Sequence, residues 1–193
     1  MVTPSQAIPQ QFKYRNITVS GKIATGTTTL AKNIQQALGW EYVNTGALQR
    51  AYDKAHGVNE NEHGAKLRPD DHEREMEEFT KKTLTEKSNI VYEAWLSGFV
   101  ARDIPDVLRI LVICSEDAVR VDRVVNRDKV SVEQAKLFIR TREEENIEKW
   151  KQLYGDYDFW DPKYYDIVID TYSSGAMETL GKVLDKLGYK NHT

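Results

Sequence analysis

Short apolar blocks alternate along the chain with longer stretches in which apolar and charged residues recur at helical spacing. The blocks predict five strands, at residues 16–20, 41–43, 89–93, 109–114 and 166–170. The longer stretches predict helices at residues 28–38, 71–86, 116–127, 132–154 and 176–187. The helix at 132–154 opens with the capping box Ser131-x-x-Gln134, which fixes its start.

Strands that alternate with helices predict an α/β fold, a three-layer α/β/α arrangement around a mostly parallel five-stranded sheet. The nearly continuous apolar runs at 108–114 and 167–169 indicate central strands that are buried on both faces. Ligands of such sheets bind beyond the carboxyl ends of the strands. We therefore expect the functional site in the loops that follow Ser20, Val43, Glu93 and Cys114.

The chain of 193 residues, 40% of them hydrophobic, is long enough to form one domain with a full core. We predict that this domain spans residues 15–193. Residues 1–14 are predicted to be a flexible lead-in, because residues 1–11 contain two prolines and three glutamines and no periodic apolar pattern.

Charge and cysteine content narrow the classes of partner. A formal net charge of -3 argues against a nonspecific grip on nucleic acid or an acidic membrane surface. The single cysteine, Cys114, excludes a disulfide within the chain and offers no metal cluster. No signal-peptide pattern is present, and the longest apolar run is far shorter than the ~20 residues of a membrane span. We expect a soluble, cytoplasmic protein that is a monomer.

A glycine-rich loop directly follows the first predicted strand. Gly21 and Gly26 have the spacing of the phosphate-binding motif G-x-x-x-x-G-K-[ST], and a helix begins just after them. Glycines at these positions let successive backbone amides and the helix N-terminus face a phosphate. We expect the ATP phosphates to bind Gly21, Ala24, Thr25, Gly26, Thr27, Thr28 and Thr29, and magnesium to bind the Thr28 hydroxyl. The alternative to a phosphate-binding loop is an ordinary glycine-rich turn before a helix.

Thr27 stands where this motif normally has its phosphate-binding lysine. Loss of that charge-assisted hydrogen bond could cost about 1.5 to 3 kcal/mol. Two remedies are open. The hydroxyls of Thr27 to Thr29, together with magnesium and arginines of a lid, can bind the phosphates in place of the lysine. Alternatively, Lys22 can fold back over the phosphates. We favour the first remedy here.

Several motifs together make the chain similar to a known family. The matching stretches are Ile17-Thr18-Val19-Ser20-Gly21, Gly26-Thr27-Thr28-Thr29-Leu30-Ala31, Asn44-Thr45-Gly46-Ala47 with Arg50, and Tyr165-Asp166-Ile167-Val168-Ile169-Asp170-Thr171. Over residues 17 to about 187 the chain resembles the cytidylate kinases, the archaeal-type branch of the P-loop nucleoside monophosphate kinases. The resemblance implies transfer of the γ-phosphoryl group of ATP to CMP or dCMP, with magnesium. It also implies an acceptor-covering helical region at about 45–88 and a helical lid at about 120–150.

The resemblance assigns an acceptor site. It places the Thr45-Gly46-Ala47 segment and Arg50 at the acceptor nucleotide, where a planar guanidinium can bind phosphate oxygens bidentately. Glu93 ends a strand, so it can serve the magnesium water shell or the acceptor, or act as a structural hydrogen-bond partner. Asp71 either touches the base or sugar or simply favours a helix N-terminus.

The family's usual Glu-Gly-Arg triplet is Glu93-Ala94-Trp95 here. Trp95 removes a phosphate donor and adds a large ring, which can either stack on a base or pack the core. Core packing is the interpretation that we favour.

The helix after the fourth strand carries three arginines on one face. Arg120, Arg123 and Arg127 have i, i+3 and i+7 spacing, and Arg140 and Arg142 follow on the next helix. Phosphoryl transfer depends on neutralising the transferring group, so a mobile arginine cluster is the expected tool. We predict catalytic roles for Arg123, Arg127 and Arg142. The alternative is a lattice of ion pairs with nearby acidic residues.

Other functions stay open at this point. A kinase of another small molecule can share the fold. A nucleotide-binding regulator without catalysis is motivated by the missing cations at Thr27 and Trp95. A plain scaffold would bind no ATP at all. The four histidines show no metal or triad spacing and are assigned no chemistry.

Overall fold

The protein is described by a computed structural model that covers residues 12–59 and 62–190. Its strands are β1 (Asn16–Ser20), β2 (Glu41–Asn44), β3 (Ile90–Glu93), β4 (Val107–Ile113) and β5 (Ile167–Asp170). Its helices are α1 (Thr27–Leu38), α2 (Thr45–Ala55), α3 (Asp70–Glu86), α4 (Ser97–Val100), α5 (Asp117–Asp128), α6 (Val132–Tyr154) and α7 (Ala176–Leu187). Each predicted strand and helix is present, with ends that differ by at most two residues. The helices α2 and α4 were not delimited by the sequence pattern.

Helix ends follow their local chemistry. The Ser131 hydroxyl accepts a hydrogen bond from the Gln134 amide at 3.2 Å, and the Gln134 side chain accepts one from the Ser131 amide at 3.1 Å. The predicted capping box is therefore confirmed. The α1 helix ends at Gly39, which has the left-handed φ of 69° that glycine adopts without a steric penalty.

All five strands are parallel, in the order β2-β3-β1-β4-β5. This confirms the predicted α/β class. One detail of the prediction was wrong, because β5 is an edge strand and not a central one. Val168, in the middle of its apolar run, is 40% exposed. Three consecutive apolar residues cannot distinguish an edge strand from a central one, since both have at least one buried face.

Helices cover both faces of the sheet. On one face, α1 and α7 contribute to a core cluster with the sheet residues Ile17, Val19, Val91, Ile110 and Val112. On the other face, Leu84 of α3 packs with Ile90, Tyr92, Ala101 and Val107. Burial of this apolar surface is the main source of stability. The helices cover the faces of the sheet and not the carboxyl ends of its strands, where ligands of such sheets bind.

The N-terminal segment is described only from residue 12. Phe12 and Tyr14 pack against the first core cluster, and the ring of Phe12 lies 5.5 Å from that of Trp40. Residues 1–11, most of the predicted lead-in, lie outside the described residues. Within the part of the chain that is described, no helix has both the length and the apolar character needed to cross a bilayer.

Candidate active site

The loop between β1 and α1 has the backbone shape of a phosphate-binding loop. Gly26 is the N-cap of α1 with a φ of 102°, and no side chain caps the first amides of the helix. Ala24 also has a positive φ, of 58°. A Cβ on Gly21 would lie 2.6 Å from the Thr25 hydroxyl, so only glycine fits there. Uncapped amides at a helix N-terminus match the donors that an anionic phosphate needs.

A cavity of about 800 Å³ lies over this loop, at the carboxyl ends of the strands. From the predicted site it brings together Gly21, Ala24, Gly26, Thr27, Thr28, Thr29, Gly46, Arg50, Glu93, Arg123, Arg127 and Arg142. Residues that are remote in the sequence therefore meet in one space. Such a volume is in the range of small-molecule sites.

Three predicted site residues do not line this cavity. Thr25 is buried, and its hydroxyl donates to the Lys22 carbonyl at 3.0 Å, so it stabilises the loop from within. Thr45 is buried at the start of α2 and donates to the Glu93 carbonyl at 3.2 Å. Asp71 is exposed in the first turn of α3, where its charge favours the helix dipole. The structural alternative for Asp71 matches this placement better than contact with a base or sugar.

Glu93 joins the phosphate loop to the acceptor side of the cavity. Its Oε1 accepts hydrogen bonds from the hydroxyls of Thr27, at 2.9 Å, and Thr28, at 2.6 Å. Its Oε2 accepts from the Tyr42 hydroxyl and from Asn44 Nδ2, the latter at 2.9 Å. Each carboxylate oxygen of Glu93 thus accepts two hydrogen bonds. Burial, and then the hydrogen bond to Glu93, raise the pKa of Tyr42, so its proton stays on the phenol.

This arrangement suits a magnesium ion beside the loop. Because the Thr28 hydroxyl gives its proton to Glu93, the lone pairs of its oxygen are available to a hard cation. Over the described residues, no group of three or more His, Cys, Asp or Glu side chains is placed to hold a metal ion. A magnesium ion that is held by one hydroxyl and by substrate phosphates needs no such group.

Two arginines of α5 brace the phosphate loop from outside. Arg120 is buried, and its Nε donates to the Ile23 carbonyl at 2.9 Å. Arg123 Nη1 donates to the Ala24 carbonyl at 2.9 Å and to the Thr171 hydroxyl at 3.0 Å. Arg123 Nη2 also donates to the Thr171 carbonyl, at 3.2 Å. The Arg123 guanidinium is therefore held by protein acceptors, although it lines the cavity.

The remaining lid arginines divide into two groups. Arg127 forms two hydrogen bonds of 2.7 Å with Asp128, and both residues line the cavity. Arg142 also lines the cavity, whereas Arg140 is exposed and does not. Arg120 is in ion pairs with Glu143 and Asp117, as in the predicted ion-pair alternative, and Arg127 pairs with Asp128. Arg127 and Arg142, unlike Arg120, line the candidate site.

Trp95 both packs and lines the cavity. Its ring is 5.7 Å from Trp150 and 6.3 Å from Trp160, in edge or tilted contacts. Trp160 in turn donates its indole N–H to the Trp95 carbonyl at 3.3 Å. The side chain is partly buried, and it forms part of the wall of the main cavity. The prediction that it packs the core is thus incomplete.

A buried polar network beside Arg50 was missed by the sequence analysis. Arg68, 8% exposed, donates its Nε to Asp53 at 3.0 Å and its Nη1 to Glu73 at 2.6 Å. The Trp150 indole N–H also donates to Glu73, at 3.0 Å. A narrow cavity next to the main one is lined by Arg50, Asp53 and Arg68. The sequence offered no signal, because Asp53, Arg68 and Glu73 share no helical or strand period.

The segment that precedes α3 is bonded to the lid helix α6. The Gly64 amide donates to Glu145 Oε2 at 2.7 Å, and the Ala65 amide donates to Asn146 Oδ1 at 2.5 Å. The acceptor-covering region and the lid region, predicted as separate pieces, are thus joined through the backbone of residues 64–65. Gly64 and Asn146 line the small cavity together with Arg50 and Arg142.

A parallel sheet, a phosphate loop after β1 and an arginine-lined cavity at the strand ends define a P-loop phosphotransferase. Solved kinases share this fold. A gluconokinase from Sinorhizobium meliloti superposes with a TM-score of 0.60 at 14% identity, covering 92% of this chain and 94% of that one. A shikimate kinase from Acinetobacter baumannii gives 0.56 at 15% identity, covering 93% and 96%.

Sequence comparisons narrow the class. The model of the Cytidylate kinase-like family matches residues 16–173. A cytidylate kinase from Pyrococcus abyssi is 34% identical over 157 residues, 80% of this chain and 83% of its own length. One from Methanosarcina acetivorans is 30% identical over 166 residues, 85% and 91% of the two chains. The chain belongs to the cytidylate kinase-like family, and it is a nucleoside monophosphate kinase.

Proposed function

We propose that this protein transfers the γ-phosphoryl group of ATP to CMP or dCMP in a magnesium-dependent reaction. The observation that carries the proposal is that one cavity is lined both by the phosphate loop and by Gly46 and Arg50. Donor and acceptor phosphates can meet there in line, which is what phosphoryl transfer requires. The names of the relatives support the choice of cytidine nucleotides.

The phosphate loop is the donor end of this site. The backbone amides of residues 24–28 and the N-terminus of α1 bind the β-phosphate, because they are oriented donors without a side-chain cap. Thr28 presents its oxygen to magnesium, which when bound neutralises charge on the donor phosphates. Glu93 holds both Thr27 and Thr28 in place, so it is a positioning residue for the donor end.

Arg50 and the lid arginines form the acceptor and transfer end. Arg50 binds the acceptor monophosphate through its planar guanidinium. Arg127 and Arg142 line the cavity from the lid and stabilise charge on the transferring group. For Arg123, predicted to be catalytic, we propose the role of a brace of the phosphate loop, which its hydrogen bonds to Ala24 and Thr171 support.

The test is formation of nucleoside diphosphate from ATP and magnesium with CMP, dCMP, UMP, AMP and GMP, and with no acceptor. Turnover that strongly favours the cytidine nucleotides is expected. ATP binding without turnover on any acceptor would show a regulator instead and would contradict the proposal.

A matched pair of lid variants tests the placement of the transfer end. Arg142→Met should lower kcat by about 10- to 100-fold, since one charge-assisted hydrogen bond is worth about 1.5 to 3 kcal/mol. Arg140 lies two residues earlier on the same helix, is exposed and does not line the cavity. Arg140→Met removes the same charge and should leave kcat within about 2-fold of the wild-type value. Equal effects of the two substitutions would argue against the assigned role of Arg142.

A further inference from the structure

Because position 27 is a threonine, the phosphate loop lacks its usual lysine cation. The contacts around Thr27 add a negative charge beside the loop. The hydroxyls of Thr27 and Thr28 both donate to Glu93, a carboxylate that lines the cavity. A negative group thus lies where a negative substrate must bind, and the proton of each of these hydroxyls is already committed to it. Like charges at this spacing disfavour binding unless a cation intervenes.

The arginines that line the cavity come from the helices α2, α5 and α6. Arg123 is held by the Ala24 carbonyl and by Thr171, and Arg127 is held by Asp128. Arg50 and Arg142 both line the small cavity on the acceptor side. None of these four guanidinium groups belongs to the phosphate loop.

Lys22 is the cation that the loop itself supplies. It follows Gly21 directly, it is partly buried, and it lines the main cavity. Its ammonium group lies over the face of Trp160, 4.9 Å from the ring centre. Across the described residues, the ion pairs with Asp and Glu do not include Lys22. A cation–π contact at a partly exposed site is weaker than a charge-assisted hydrogen bond to phosphate, so a bound triphosphate can draw the ammonium away.

The side of the loop on which Lys22 lies indicates which phosphate it meets. Trp160 is in contact with Trp95, and Trp95 lines both the main cavity and the small cavity beside Arg50. Through Trp160 and Trp95, Lys22 is thus connected to the wall of the small cavity on the acceptor side. The γ-phosphoryl group passes from donor to acceptor, so a cation on this side of the loop is the one suited to meet it.

We propose that Lys22 is a catalytic residue that binds the γ-phosphoryl group and replaces the lysine missing at position 27. The Trp160 ring holds its ammonium in a resting position until the triphosphate arrives. This inference rests on the proposed function and adds to it the cation that serves the transferring group. It favours the second remedy named in the sequence analysis over the first, in which threonine hydroxyls, magnesium and lid arginines together replace the missing lysine.

The experiment compares binding of ATP and of ADP, each with magnesium, by titration calorimetry. Lys22→Met keeps most of the apolar stem over Trp160 and removes the charge. It should weaken ATP binding by at least about 10-fold while ADP binding changes by less than about 3-fold, because only ATP has the γ-phosphate. Lys32→Met, an exposed lysine on α1, is the matched control and should alter neither affinity.

A second variant separates charge from packing. In Lys22→Met/Thr27→Lys, a lysine at the usual motif position should restore most of the lost ATP affinity. Trp160→Phe, which keeps an aromatic face and Lys22, should retain the preference for ATP over ADP. The proposal is overturned if Lys22→Met, folded with an unchanged Tm, binds ATP as tightly as the wild type. Because binding is the readout, this result is distinct from failure of the kinase assay with every acceptor.

Discussion

Replacing Arg68 by methionine tests the buried polar network beside Arg50. The Arg68 side chain is 8% exposed, and its partners Asp53 and Glu73 are 2% and 3% exposed. The substitution keeps an unbranched stem of similar length but leaves two buried carboxylates without their cation. Removing one partner of a buried ion pair costs about 3 to 5 kcal/mol, because the remaining charge stays desolvated.

For a domain of this size each kcal/mol corresponds to about 2–4 °C in Tm, so we expect a fall on the order of 10 °C. Urea unfolding followed by circular dichroism gives the free energy of unfolding, and thermal scans give Tm. Arg74→Met, at an exposed position of α3, is the control and should change stability by less than about 0.5 kcal/mol.

The pH dependence of the defect has a defined sign. Burial alone would lower the pKa of Arg68, but the carboxylates of Glu73 and Asp53 raise it, so the arginine is charged throughout the accessible range. In the variant, the two buried carboxylates lose the cation that compensates them, and acid removes this uncompensated charge. The stability gap to the wild type should therefore narrow from about pH 8 to about pH 5. A gap below about 1 kcal/mol, or one that widens in acid, would refute the reasoning.

Two further predictions follow from other hydrogen bonds. Glu93→Gln leaves two of four donors facing an amide NH₂, which should cost about 3 kcal/mol in thermal unfolding and at least about 10-fold in kcat/KM. Unchanged turnover would contradict its positioning role. Burial alone would raise the pKa of Asp166, but the hydrogen bonds and charge of Arg109 lower it, so this stabilisation is present above about pH 4 and is lost below it. Asp166→Asn should cost about 1 to 2 kcal/mol near neutral pH, and unfolding curves for it and the wild type should converge in acid.

Most of the fold could be predicted because periodicity and the loop motif agree with each other. The Gly21 to Gly26 spacing fixed the junction of β1 and α1, and the capping box fixed the start of α6. The position of β5 at the sheet edge could not be predicted, since strand order depends on packing between remote segments. A local sequence pattern identifies a strand or helix more reliably than it identifies which other elements pack beside it.

The candidate site divides in the same way. Gly46 and Arg50 were found because they belong to a contiguous motif, and the structure places both at the cavity. Arg68 and Glu73 were missed because their importance comes from mutual burial, which no local spacing encodes. Arg123 was identified as a site residue, but its hydrogen bonds to loop carbonyls could be seen only with the tertiary structure.

The strand order also has a consequence for how the chain folds during synthesis. The strand that carries the phosphate loop, β1, lies in the middle of the sheet, and its two partners begin at residues 90 and 107. In a nascent chain that ends before β4, this strand, which is buried along its whole length in the folded protein, has one partner or none. Contacts this distant in sequence slow folding, because loop closure precedes any gain from pairing. Translation must therefore pass well beyond the middle of the chain, to include Arg123 and Arg142, before the nucleotide site can exist, and until then β1 lacks the neighbours that bury it.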